Sequence, residues 1–180
     1  MNKELLKISK CLSGNVLGIG LKDDKLVDSL YNNDLILDLT LLDPYKKNNK
    51  KLSLKKSSTK KMKSINIKKI KKKFKHKKVD FIICNNEDIK KYYRTFIRDS
   101  VYINKKILYI YGNKNDIDIE DIMNKYKRYD VKIELINFKD SFIIKIDNSN
   151  SDNIWLRDKL YYIYDTLVYI RDIIADGLTS

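Results

Sequence analysis

Residues 79–112 carry the pattern that most restricts this chain. VDFIICN at 79–85 is a mostly apolar stretch of strand length, and KKILYIYG at 105–112 is a second. Between them, EDIKKYYRTFIRDSVYI puts Ile89, Tyr92, Tyr93, Phe96 and Ile97 on one helical face, with acids at its start where the helix dipole favours them. An apolar strand of this kind needs cover on both faces. Strand, one-sided helix and strand in succession supply it as a right-handed crossover between parallel neighbours.

The same alternation extends both ways. NVLGIGL reads as a buried strand. KDDKLVDSLYNN follows with Leu26, Val27 and Leu30 at helical spacing, then the strand-like DLILDLTLLD, closed by the turn signal Asp43-Pro44. The stretch 46–63 has almost no apolar residues and is expected to be a loop. SINI at 64–67 is a brief strand candidate, and Ile70 and Phe74, four apart, mark a short one-sided helix. DIDIEDIMNKYKRY has the acidic start and basic end of a helix. VKIELINF and SFIIKID, separated by Lys139 and Asp140, are expected to form an antiparallel hairpin. The predicted fold is therefore α/β: a mostly parallel open sheet with helices on both faces and a C-terminal antiparallel hairpin.

At 180 residues one domain is expected, spanning 1–150 and carrying the lysine-rich loop 46–63. Residues 151–180 add a helix from about Ile154 to Ala175. Its Trp155, Tyr161, Tyr162, Leu167 and Ile170 are too apolar to lie loose in water. Two placements fit: against the sheet, on a face that only about fourteen preceding residues could otherwise cover, or at a homodimer interface.

Charge is distributed unevenly. Residues 46–78 hold 17 lysines with no arginine and no acid, against +14 for the whole chain, so the remainder is 14 − 17 = −3. One reading makes this segment a contact for RNA or another polyanion, with Lys55, Lys56, Lys60, Lys61, Lys71 and Lys72 as the candidate residues. The other makes it a solvated lysine loop. The lack of arginine argues against base-specific reading. His76 is the only histidine and lies in a lysine run, and Cys11 and Cys84 are far apart, so neither a metal site nor a Ser–His triad is expected. The two thiols, the absence of a targeting signal, and the absence of any apolar window of about 18 residues point to a soluble, cytoplasmic protein without a membrane span.

Five alternating strands followed by a hairpin resemble the class I S-adenosylmethionine-dependent methyltransferases, over about Asn15 to Asp147. VLGIGLKDD falls where that family has a strand acid and then alternating glycines. Gly18 stands at the acid, Gly20 matches one glycine, and Lys22 and Asp24 replace the others. The resemblance implies S-adenosylmethionine as cofactor, with Gly18 and Gly20 at its loop and Asp43 at the ribose hydroxyls. It also implies that Asn85, Asn86 and Glu87, at the end of the fourth strand, lie beside substrate and cofactor. Each position has a second reading: close strand–helix packing for the glycines, turn initiation for Asp43, and a helix N-cap for the Asn-Asn-Glu run. The resemblance thus leaves two functions open: a methyltransferase acting on RNA or another polyanion, and an inactive relative using its lysine-rich loop as a binding module.

Overall fold

A computed structural model describes residues 3–42, 61–63, 70, 74, 76–90, 93–114, 119–127, 129, 131–149, 163–164, 167 and 170. The elements are α1 (Lys3–Cys11), β1 (Gly14–Ile19), α2 (Asp24–Tyr31), β2 (Ile36–Leu42), β3 (Lys61–Lys63), β4 (Val79–Asn85), α3 (Asn86–Ile89), α4 (Tyr93–Ile103), β5 (Asn104–Asn113), α5 (Ile119–Lys127), β6 (Lys132–Asn137) and β7 (Ser141–Asp147).

Seven strands form one sheet in the order β3-β2-β1-β4-β5-β7-β6. Those from β3 to β5 are parallel, and β7 enters antiparallel between β5 and β6. The order reverses between β1 and β4, where Gly18 pairs with Leu41 on one side and Ile83 on the other. Ligand crevices open at such a reversal, outside the carboxyl ends of the strands.

Strand alternation divides the core. Leu17, Ile19, Ile82, Cys84, Leu108, Ile110 and Ile144 point to one face, under Phe96, Ile97 and Val101 of α4 and Ile122 and Tyr126 of α5. Val16, Leu39, Phe81, Ile83, Tyr109 and Ile143 point to the other, under Leu26 and Leu30 of α2 and Leu5 of α1. Burying one such side chain fully is worth roughly 1.5–3 kcal/mol, so the two layers supply the main driving force.

The parallel sheet and its closing hairpin stand as expected. Two details differ. Lys61–Lys63, expected within the loop 46–63, form the strand β3, and SINI at 64–67 lies outside the described residues. Helix α1 was not anticipated; its Leu5 and Ser9 are buried, so it supplies part of the sheet cover assigned above to the C-terminal helix. Ile70 is helical and buried, and Phe74 N donates to Ile70 O at 3.0 Å. Of the C-terminal helix, Ile163, Tyr164, Leu167 and Ile170 are described; they are helical and each is about half exposed. No helix among the described residues is long and apolar enough to cross a membrane.

Candidate functional site

The loop after β1 starts at Gly20, whose φ of +63° lies in the left-handed region. Gly20 N donates to Leu42 O at 2.9 Å, tying the loop to the end of β2. A Cβ at Gly20 would sit 1.8 Å from Asp88 Oδ2 and 2.6 Å from its Cβ, so the space before this glycine is filled by the Asp88 side chain. At Gly18 the corresponding space holds the methyl ends of Leu21 and Leu41, each 2.7 Å away. Both glycines therefore serve close packing in this structure.

Asp23 ends the loop as the N-cap of α2, its Oδ1 accepting from Lys25 N at 3.0 Å and Leu26 N at 3.3 Å. Lys22 reaches across the reversal point. Its Nζ lies 2.7 Å from Glu87 Oε2 and 3.8 Å from Oδ1 of the buried Asp88. Lys22 and Glu87 are both half exposed, and an ion pair of that kind contributes about 0–1 kcal/mol, so it yields readily to another partner.

At the end of β4, Asn85 caps α3, its Oδ1 accepting from Glu87 N at 3.1 Å. The N-cap reading of this run is thus correct. Asn85 pairs across the sheet with Tyr111, near the end of β5. Burial, with the negative charges of Asp88 and Asp23 nearby, pushes the Tyr111 hydroxyl well above its ordinary pKa, so it stays protonated. Asn86 turns inward. It is fully buried, its Oδ1 accepts from Tyr93 O–H, and its side chain packs against Gly112, where an added Cβ would meet Asn86 Cβ at 2.8 Å. Its Nδ2 has no hydrogen-bond partner among the described residues.

These strand ends enclose a cavity of about 380 Å³. It is walled by Leu5, Leu26, Tyr111 and Phe142 and edged by Asp23, Asn85, Glu87, Asn113, Asp140 and Ser141, with Gly112 in its lining. That volume is within the range of small-molecule sites. Of the residues proposed from sequence, Asn85 and Glu87 line it and Asn86 stands behind it. Gly18 and Gly20 lie in the neighbouring β1 strand and loop. Asp43, Lys55, Lys56, Lys60, Lys71 and Lys72 lie outside the described residues, as do most positions of the loop 46–63, while Lys61 opens the edge strand β3. Sequence reasoning missed Tyr111, Asn113, Asp140 and Ser141. Each lies at or beside a strand end, a hint that gains meaning once the strand order is known.

An open sheet reversing at β1/β4, with an antiparallel β7 between β5 and β6, is a Rossmann-like sheet with its ligand crevice at the carboxyl rim. More narrowly, it is the fold of the class I S-adenosylmethionine-dependent methyltransferases. A protein from Methanococcus maripaludis, provisionally assigned as such an enzyme, superposes with a TM-score of 0.61 at 16% identity, over 84% of this chain and 94% of that one. An S-adenosylmethionine-dependent methyltransferase from Archaeoglobus fulgidus gives 0.58 at 10% identity, covering 81% and 90%. A protein from Pyrococcus horikoshii, provisionally assigned as an RNA methyltransferase, gives 0.53 at 14%, covering 83% and 82%. Other similar structures are longer; the chain spans 46% of one from Streptococcus mutans. No family model and no curated protein matches the sequence.

Proposed function

We propose that this protein is an S-adenosylmethionine-dependent methyltransferase whose acceptor sits in the cavity at the ends of β4, β5 and β7. The observation that carries the reading is a cavity of this size at the sheet's reversal point, edged by charged and amide side chains. The cofactor is a zwitterion with an added sulfonium charge, and the charges here suit it. Lys22 would take its carboxylate, leaving Glu87. Asp23, already at the α2 N-terminus, would take its ammonium, and Asp43 remains the proposed partner of the ribose hydroxyls. When bound, the cofactor supplies an electrophilic methyl group. The chain's part is positioning: Asn85 and Tyr111, neighbours across β4 and β5, present an amide and a hydroxyl side by side, and Glu87 offers a carboxylate to an acceptor proton.

The packing of Gly18 and Gly20 supports a second reading, an inactive relative that keeps the sheet as a binding module. Calorimetry separates the two. Binding of S-adenosylmethionine or its demethylated product, weakened by Lys22→Ala, supports the enzyme; no heat at millimolar ligand leaves the module. In either case the lysine-rich segment is proposed as a polyanion contact, tested by RNA retention that falls steeply with salt. The exposed Ile163, Tyr164, Leu167 and Ile170 lie on one helical face and are proposed as a homodimer surface. Leu167→Glu should then abolish any concentration-dependent dimer seen by sedimentation.

A further inference from the structure

The cavity carries a sign. Among the described residues its lining includes three carboxylates, of Asp23, Glu87 and Asp140, and no lysine, arginine or histidine; Lys22, outside the lining, pairs with Glu87. They stand at different corners: Asp23 at the start of α2, Glu87 beyond β4 and Asp140 in the turn before β7. Between them lie the apolar Leu5, Leu26 and Phe142, a wall suited to a hydrocarbon chain. The site is thus a half-open, part-apolar volume with negative charge at its edges.

The basic residues that suggested a polyanion lie elsewhere wherever they are described. β3 is the sheet edge, three strands from β4, or about 14 Å at the usual strand spacing. Lys77 and Lys78 precede Val79, at the amino end of β4; the cavity opens at its carboxyl end, about 20 Å away along seven residues. Lys77 Nζ donates there to Asn148 O at 3.2 Å. A phosphate group entering the cavity would meet the carboxylates of Asp23 and Asp140 with no described cation in the lining, while the third, Glu87, is paired with Lys22 from beside the cavity.

We infer that the cavity takes a small molecule carrying an ammonium group on a short hydrocarbon chain, and that the phosphates of a nucleic acid stay out of it. This rests on the proposed methyltransferase reading only in making that molecule the acceptor, in which case Asp23 serves the cofactor while Asp140 and Glu87 serve the acceptor; the charge preference belongs to the cavity itself. Tyr111, held protonated, adds a neutral polar contact, and Asn85 and Ser141 add others.

The test uses the full chain, with 1,5-diaminopentane as probe and a short oligouridylate as its anionic counterpart, followed by calorimetry at low salt. The diamine should bind, and Asp140→Asn should weaken it at least about fivefold, the size of one charge contact near water. Asp140 is an exposed turn residue whose backbone O accepts from Lys114 N at 3.2 Å, a bond the variant keeps. Glu87→Gln gives a second, independent reduction. Diamine binding unaffected by both variants would overturn the inference, as would no diamine binding at all. So would oligouridylate that competes with the diamine for the cavity and binds more tightly to Asp140→Asn. A separate titration with S-adenosylmethionine reports on the methyltransferase reading. A chain that binds the diamine and not the cofactor keeps this inference and loses that reading.

Discussion

Replacing Gly20 by alanine tests the loop geometry most directly. The added Cβ has two costs. A non-glycine residue at φ +63° costs about 1–2 kcal/mol. The new methyl would also lie 1.8–2.6 Å from the Asp88 carboxylate and Cβ, and forcing such overpacking into a filled site costs about 1–3 kcal/mol. Together the expected destabilisation is about 2–5 kcal/mol, a large share of the 5–15 kcal/mol typical of a domain. In melting temperature this is a fall of roughly 4–20 °C for a chain of this length. Gly18→Ala is the control. Its φ is outside the left-handed region, and the atoms its Cβ would meet are the mobile ends of Leu21 and Leu41, so about 1 kcal/mol is expected. Urea unfolding followed by circular dichroism measures both. Adding Asp88→Ala to Gly20→Ala should give less than the sum of the single effects, because it removes the carboxylate while leaving the Cβ 2.6 Å away. If Gly20→Ala matched Gly18→Ala within about 0.5 kcal/mol, the close contact with Asp88 would be refuted.

Three further outcomes follow from the same structure. Tyr93→Phe leaves the buried Asn86 Oδ1 without its donor and should cost about 1–3 kcal/mol by denaturant titration, although the ring stays in place. Asn148→Ala strips the carbonyls of Val101 and Asn104 of donors at 2.9 and 2.7 Å, unpinning the end of α4 from the tail of β7; a loss of about 2 kcal/mol or more is expected, with hydrogen exchange rising first around 101–106. Stability should also fall in alkali. Burial raises the hydroxyls of Tyr93, Tyr109, Tyr111 and Tyr126 above their ordinary range, so above about pH 10 the unfolded chain loses protons that the native one keeps. These groups contribute fully below pH 10 and progressively less above it. Tyr126→Phe should flatten that slope in unfolding curves between about pH 9 and 11.

The parts of the fold that sequence made legible are those governed by burial. VDFIICN and KKILYIYG are apolar because both faces of β4 and β5 are covered, and no other common architecture asks for such runs interrupted by one-sided helices. The hairpin was readable because its connection is too short for a crossover. What failed was governed by position. β3 is three residues, KMK, on the sheet edge, too short to show a period of two within a lysine-rich stretch; the candidate SINI lies outside the described residues. Helix α1 buries Leu5 and Ser9, four apart, a signal weakened because one of the pair is polar. At the site, the Asn-Asn-Glu run was visible because its members are adjacent in sequence. Tyr111 and Asp140 were not, because β7 brings them to the same rim from different strands.

Because β7 runs against its neighbours, Ser141 and Phe142 reach the cavity from the beginning of a strand, while Asn85 and Tyr111 reach it from strand ends. The three residues Phe138 to Asp140 joining β6 to β7 thus form an adjustable lip. Lengthening or shortening that turn would redraw the outer edge of the cavity while leaving the five parallel strands untouched. Ligand choice in a chain built this way can diverge through a hairpin tip, independently of the sheet that carries it.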